Sequence, residues 1–223
     1  MKPLITFIFA LLLLSCNSTQ LVDTWKNPEI TTYSPTKVLV VGLTSNLEAR
    51  QEFENKLKYE FEMRGAEAAS SMDVFNPSFK SEKLTIDDLK ALENDLTNDG
   101  FDTILFTKIV GVEDKMVEKI DYGDFDETHK KFREDYLKHQ DIFYDPEYYD
   151  AYTVYHAETS MYCICPSKDR ELIWKGYIDI IDPRSGDDTI KNYVNLILLI
   201  LEEEQLINVK QIIEEKPQEQ AIN

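Results

Sequence analysis

Apolar positions fall along this chain in three patterns, and each predicts a different kind of element. The first is an almost unbroken run from Leu4 to Leu14, preceded by Lys2. It is too short to span a bilayer as a permanent helix and has the proportions of a signal-peptide hydrophobic region. The second is the β-branched and leucine run Lys37-Val-Leu-Val-Val-Gly-Leu-Thr44. A run without alternation predicts a strand buried on both faces, as at the centre of an α/β sheet. The third is helical spacing. Phe53, Leu57 and Phe61 form one stripe that ends at Gly65, and Ile86, Leu89, Leu92 and Leu96 form another that stops near Gly100. Ser45-Asn46-Leu47-Glu48 reads as a capping box for the first helix and Thr85 as the N-cap of the second.

Strand patterns return at Ala66 to Ser71 and at Phe101 to Val110. Strand, helix, strand, helix, strand at these spacings implies parallel strands joined by right-handed crossovers. Ala151 to Cys165 then alternates, with Thr153, Tyr155, Ala157, Thr159, Met161 and Cys163 on one face. After a turn through Pro166 to Arg170, Glu171 to Ile180 completes a long antiparallel hairpin. Asp187 and Asp188 suit the positive start of a last helix through Tyr193, Leu196, Ile197, Ile200 and Leu201. Its apolar stretch meets Glu202-Glu203-Glu204 too soon to cross a membrane. The prediction is a single α/β domain in two or three layers. A parallel β-α-β-α-β unit is extended by the antiparallel hairpin and a C-terminal helix.

These patterns divide the chain into a signal peptide at 1–15, a tether at 16–35, the domain at 36–204 and a charged tail at 205–223. Val22 to Trp25 could add a short edge strand within the tether. Residues 111–150 mix acidic residues, lysine and tyrosine with few aliphatic positions. That passage reads as an acidic excursion contributing little to the core, with Asp126 to His139 a solvated helix.

Composition narrows the partners. The 223 residues are 43% hydrophobic and 11% aromatic, enough for a core, and carry a formal charge of −18. Loss of residues 1–15 removes Lys2 and makes the chain more acidic still. Nucleic acid and anionic lipid head groups should repel such a chain, so no nucleic-acid partner is expected.

The charge, apolar run, small residue and cysteine ending Leu13-Leu14-Ser15-Cys16 resemble the lipobox of bacterial lipoproteins. The resemblance implies that Cys16 is acylated, becomes the new N-terminus and anchors the protein to a membrane of the bacterial cell envelope. Palmitate-type chains give durable anchoring where two or more are present, at about 0.8 kcal/mol per buried methylene. Asn17 in place of an aspartate implies, by likeness to known sorting rules, the outer membrane. Asn17-Ser18-Thr19-Gln20 lacks an acidic export signal, which implies a domain facing the periplasm.

Further features resemble a family of small, largely uncharacterised bacterial lipoproteins with a periplasmic α/β domain. They are Val22-Asp-Thr-Trp25, the Lys37 to Thr44 run, Arg64-Gly-Ala-Glu-Ala68, Gly100-Phe-Asp, Thr107-Lys-Ile-Val-Gly-Val112 and Leu172-Ile-Trp174. The resemblance implies a fold and an envelope location, and it carries over no catalytic residue.

No complete catalytic motif is present, and no enzyme is predicted. The histidines are His129, His139 and His156. His129-Lys130-Lys131 with Asp135 invites comparison with the phospholipase-D-type signature, but the aspartate falls one residue early and no second copy exists. His156 faces opposite Tyr155 and reads as a surface or hydrogen-bonded histidine. Asp121, Asp124, Asp126 and Glu127 depart from EF-hand spacing and read as a solvated acidic loop. No metal or cofactor is predicted. Cys163 and Cys165 share a face at i, i+2; an extended strand disfavours a mutual disulfide, and two small core residues are the preferred reading. Tyr144, Tyr148, Tyr149, Tyr152 and Tyr155 form either an aromatic binding surface or a cap on the end of the sheet. The expected function is a lipid-anchored, non-enzymatic envelope protein that binds an envelope protein partner. The alternatives are a lipid- or glycan-modifying enzyme and a cation-binding module built on the acidic excursion.

Overall fold

The structure, a computed structural model, describes residues 19–75, 83–113, 131–140, 154–165, 171–181, 183 and 185–210, without the side chains of 138 and 139. The strands are β1 (Thr19–Lys26), β2 (Lys37–Leu43), β3 (Glu67–Ser70), β4 (Thr103–Glu113), β5 (Val154–Cys163) and β6 (Leu172–Ile181). The helices are α1 (Leu47–Glu62), α2 (Ser71–Val74), α3 (Ile86–Asn98), α4 (Phe132–His139) and α5 (Gly186–Glu203).

The unbroken apolar run of β2 has the predicted consequence. Val38 and Val40 pack with Phe53, Leu57 and Phe61 of α1 and with Val194, Ile197 and Leu201 of α5. Leu39 and Val41 pack on the other face with Leu89, Leu92 and Leu96 of α3 and with Phe132 and Tyr136 of α4. Helices therefore cover both faces of one six-stranded sheet, in the order β1-β6-β5-β4-β2-β3. β3, β2 and β4 are parallel, and β5, β6 and β1 continue the sheet in antiparallel pairing. This is the predicted α/β architecture, in three layers.

Local signals ended the helices as expected. Gly65 and Gly100 adopt φ of 85° and 87°, the left-handed region that closes a helix at little cost only for glycine. The first cap differs from the prediction. Asn46, not Ser45, accepts from the Ala49 amide at 3.1 Å. A full capping box occurs at α3 instead, where Thr85 and Asp88 bond each other's backbone amides. Ile86 precedes the inner stripe and is exposed.

Four expectations are corrected. The tether expected at 16–35 is, from Thr19, an edge strand paired with β6, and Ile30 is buried against the α1/α5 layer. Ladder hydrogen bonds and Ile30 supply what the polar composition concealed. The excursion is not peripheral either. β4 runs to Glu113, and α4 buries Phe132, Asp135 and Tyr136, so the helix expected to be solvated is a core element. The tail begins later than 205: Leu206 and Ile207 are buried, and the Leu206 amide caps α5 by bonding Leu201 O at 2.8 Å. Gln205 takes φ 59° to make that turn. Finally, Cys163 and Cys165 are joined as a disulfide, their Cα atoms 5.3 Å apart. β5 ends at Cys163, so Cys165 escapes the extended geometry, which would separate i and i+2 by about 6.6 Å.

Gly176 has a packing role in β6. The indole of Trp174 lies over it, and a Cβ there would fall 2.7 Å from Cζ2 and closer still to Cη2. Among the described residues, no helix is long and apolar enough to cross a membrane.

Candidate binding cleft

In a parallel sheet whose strand order reverses, the helices leave a crevice outside the carboxyl ends of the strands. Here the chain passes from β2 to β3 on one side and returns to place β4 on the other. The reversal lies between β2 and β4. A cleft of about 180 Å³ sits at that end, between the sheet and the first turns of α1 and α5. Its floor is formed by buried Gly42, Phe53, Thr107, Ala157 and Tyr193. Half-buried Thr44, Ala49, Ile109, Ile180, Thr189 and Ile190 form its rim.

The space exists because small residues meet there. A Cβ on Gly42 would come within 3.1 Å of the Phe53 ring, so glycine lets α1 approach β2 closely. Ala157 and Ala49 leave the middle of the crevice open. The polar side chains on the floor are Thr107 and Tyr193, whose hydroxyls are linked through Thr159 behind them. Thr107 Oγ1 lies 2.8 Å from Thr159 Oγ1, and Thr159 Oγ1 lies 2.9 Å from Tyr193 OH. Burial, opposed by the Thr159 hydrogen bond, raises the pKa of the Tyr193 phenol well above its ordinary value, so it remains protonated at any physiological pH.

Two buried charged networks flank this cleft. Behind its α1 wall, Glu54 accepts from the Gly42 amide at 2.8 Å, Arg50 Nε at 2.9 Å, Ser70 Oγ at 2.5 Å and Ser71 Oγ at 2.6 Å. The Met72 amide donates to it as well, at 3.2 Å. Arg50 Nη2 donates to Ser71 Oγ at 2.7 Å. One carboxylate thus ties the end of β2, the β3–α2 turn and α1 together.

The second network lies on the opposite face, under α4. Lys108 Nζ reaches Asp135 Oδ1 at 2.6 Å and Glu158 Oε1 at 2.7 Å, and Lys175 Nζ reaches Glu158 Oε1 at 2.8 Å. Tyr162 OH donates to Asp135 Oδ2 at 2.6 Å, and Ser160 Oγ to Glu158 at 3.0 Å. Two ammonium groups thus face two carboxylates. Burial pushes the Glu158 carboxyl up, but Lys108 and Lys175 outweigh it and hold the group below the usual carboxylate range. Burial and the neighbouring Asp135 push the Tyr162 phenol well up.

Neither a family model nor a curated protein matches the sequence. Among solved structures, the chain is similar to the PelC dodecamer from Paraburkholderia phytofirmans. The identity is 11%, the TM-score 0.43, and the likeness covers 84% of this chain and 97% of that one. It is also similar to lipoprotein GNA1162 from Neisseria meningitidis, at 13% identity and a TM-score of 0.38, over 75% of this chain and 97% of that one. At these scores the likeness carries no argument about chemistry or partners.

The residues singled out in the sequence scatter. Cys16, Tyr144, Tyr148, Tyr149, Tyr152, His129 and the acidic group Asp121, Asp124, Asp126 and Glu127 lie outside the described residues. So does the side chain of His139. Tyr155 is half-buried in β5, paired across to Val112 and Ile180. His156 is hydrogen-bonded as expected, its Nδ1 2.7 Å from Asp179 Oδ1 on the neighbouring strand. Among the described residues, no group of three or more His, Cys, Asp and Glu side chains is placed to hold a metal ion.

Sequence reasoning passed over Glu54, Lys108 and Glu158. Arg50 and Glu54 at i, i+4 on the inner side of α1, and a lysine within Phe106-Thr-Lys-Ile109, were the available signals.

Proposed function

We propose that the protein is a lipid-anchored envelope protein that binds its target without transforming it, and that the cleft over Thr107 and Tyr193 is the binding site. The observation that carries this reading is how the interior polar groups are distributed. Lys108, Asp135, Glu158 and Lys175 are bonded to one another, and Arg50 is bonded to Glu54. Among the described residues, the cleft is left with carbon, neutral hydroxyls and the already bonded Arg50 and Lys108. General acid–base or nucleophilic chemistry needs an ionisable group facing the reacting atoms. A carbon-lined crevice with a few fixed polar atoms suits binding.

The anchor in this reading is Cys16. The Leu13-Leu14-Ser15-Cys16 sequence supports acylation there, and the Cys163–Cys165 disulfide suits an oxidising compartment such as the periplasm. Asn17 supports the outer membrane, with the domain on the periplasmic side. The target is an envelope partner that inserts into the cleft or carries its ligand there.

Two measurements test this. Cys16→Ser should abolish incorporation of labelled fatty acid and release the protein from membranes; continued labelling would end the lipoprotein reading. A photo-crosslinking residue at Ile190 should capture a discrete envelope component in cells, and Ala157→Leu, which fills the cleft, should remove that product. Crosslinking that ignores Ala157→Leu places the binding site elsewhere.

A further inference from the structure

We infer that the cleft takes a small neutral molecule, mostly hydrocarbon, bearing one hydrogen-bond-accepting oxygen that pairs with the Thr107–Thr159–Tyr193 hydroxyl row. This deepens the reading of the cleft as a binding site and rests on it.

Size comes first. An apolar cavity of roughly 150 Å³ accommodates benzene, so this cleft of about 180 Å³ fits roughly seven to ten non-hydrogen atoms. Charge comes next. Among the described residues no carboxylate lines the cleft, so none of them would hold a cation there. Its two basic lining residues are engaged: Arg50 bonds Glu54 and Ser71, and the Lys108 ammonium is bonded under α4 on the opposite face of the sheet. A chain of net charge −18 also repels anions.

The polar requirement follows from counting protons. Thr107, Thr159 and Tyr193 hold three hydroxyl protons, and the two bonds among them use two. One proton is left over. The two head-to-tail arrangements place it at an end of the row, on Tyr193 or on Thr107, and a ligand acceptor favours these over the arrangement in which both ends donate to Thr159. Both end residues, Thr107 and Tyr193, line the cleft, whereas Thr159 does not. An unspent donor in a low-dielectric pocket is costly to leave unpaired, and an acceptor oxygen on the ligand removes that cost. A carbonyl or ether oxygen meets the requirement; a pure hydrocarbon does not.

The probes are cyclohexanone and its hydrocarbon counterpart methylenecyclohexane, each titrated into the full chain carrying Cys16→Ser. Isoleucine methyl resonances provide the readout. Both compounds should shift the Ile109, Ile180 and Ile190 methyls saturably at millimolar concentration, and Ala157→Leu should abolish both effects. Thr107→Val with Tyr193→Phe should weaken cyclohexanone about five-fold, the value of one net hydrogen bond, and leave methylenecyclohexane unchanged. On the unmutated cleft, the infrared carbonyl stretch of bound cyclohexanone should fall below its value in alkane solvent. An unshifted stretch, a paired substitution that weakens both probes equally or leaves both unchanged, or binding that survives Ala157→Leu would overturn the inference. Absence of binding by both probes would also overturn it. In-cell capture at Ile190 would stand independently of these results, so the failure of the ligand class and the failure of the site can be told apart.

Discussion

Lys108 Nζ lies 2.6 Å from Asp135 Oδ1, joining a strand in the middle of the sheet to a helix that covers it. Both side chains are buried, so each charge depends on the other for the solvation it has lost. Lys108→Met should therefore cost about 3–5 kcal/mol, because Asp135 and Glu158 both lose the buried ammonium that they bond. The double variant Lys108→Met with Asp135→Leu should recover part of that loss, since Lys175 and Glu158 still form a pair. Urea unfolding of the three proteins measures the coupling, and strictly additive losses would show that the two residues act separately.

Acid should weaken the same network in a defined direction. Glu158 is held below the usual carboxylate range in the folded state, so its stabilisation is complete above the unfolded value of about 4.3. That contribution is lost as pH falls through the lower, folded value. The difference in melting temperature between the parent and Glu158→Gln should be constant from pH 7 to pH 5 and shrink below pH 4. A difference that widened on acidification would reverse the assigned direction.

The aromatic face of α4 gives a third test. Phe132 packs edge-on against Phe106 at 5.4 Å and against Tyr162 at 5.9 Å. Phe132→Ala should cost about 3–5 kcal/mol, as expected for a fully buried phenylalanine. Replacing 114–150 by a Gly/Ser linker should abolish the cooperative thermal transition. Survival of that transition would return the passage to the peripheral role its composition suggests.

The parallel half of the fold was legible because its signals are local. The unbroken β2 run, the 3.6-residue stripes of α1 and α3 and the glycines at 65 and 100 each carry their meaning within a few positions. What escaped was decided by distant parts of the chain. His156, Glu158 and Ser160 lie on the polar side of an alternating strand, and alternation normally marks a solvent face. That face is buried because α4 covers it and because Lys108 and Lys175 neutralise Glu158. The signal for α4 itself is weak, since Phe132, Tyr136 and half-buried Leu137 are the apolar residues it packs into the core, set among many charges. The cleft was illegible for another reason: it is defined by the side-chain volume that Gly42, Ala49 and Ala157 lack. No short stretch of sequence encodes a space bounded by six separate elements, β2, α1, β4, β5, β6 and α5.

The position of β1 bears on how the molecule would sit on a membrane. Its ladder begins with Thr19 opposite Ile180, and Ile180 is part of the cleft rim. With acyl chains on Cys16, three residues separate lipid from sheet, a leash of about 10 Å at full extension. That is close to the screening length of about 8 Å at physiological salt, so the surface potential of the bilayer would act directly on the acidic domain. The same leash would bring the cleft end of the sheet nearest the head groups, and an apolar guest could then arrive from the bilayer without crossing much water.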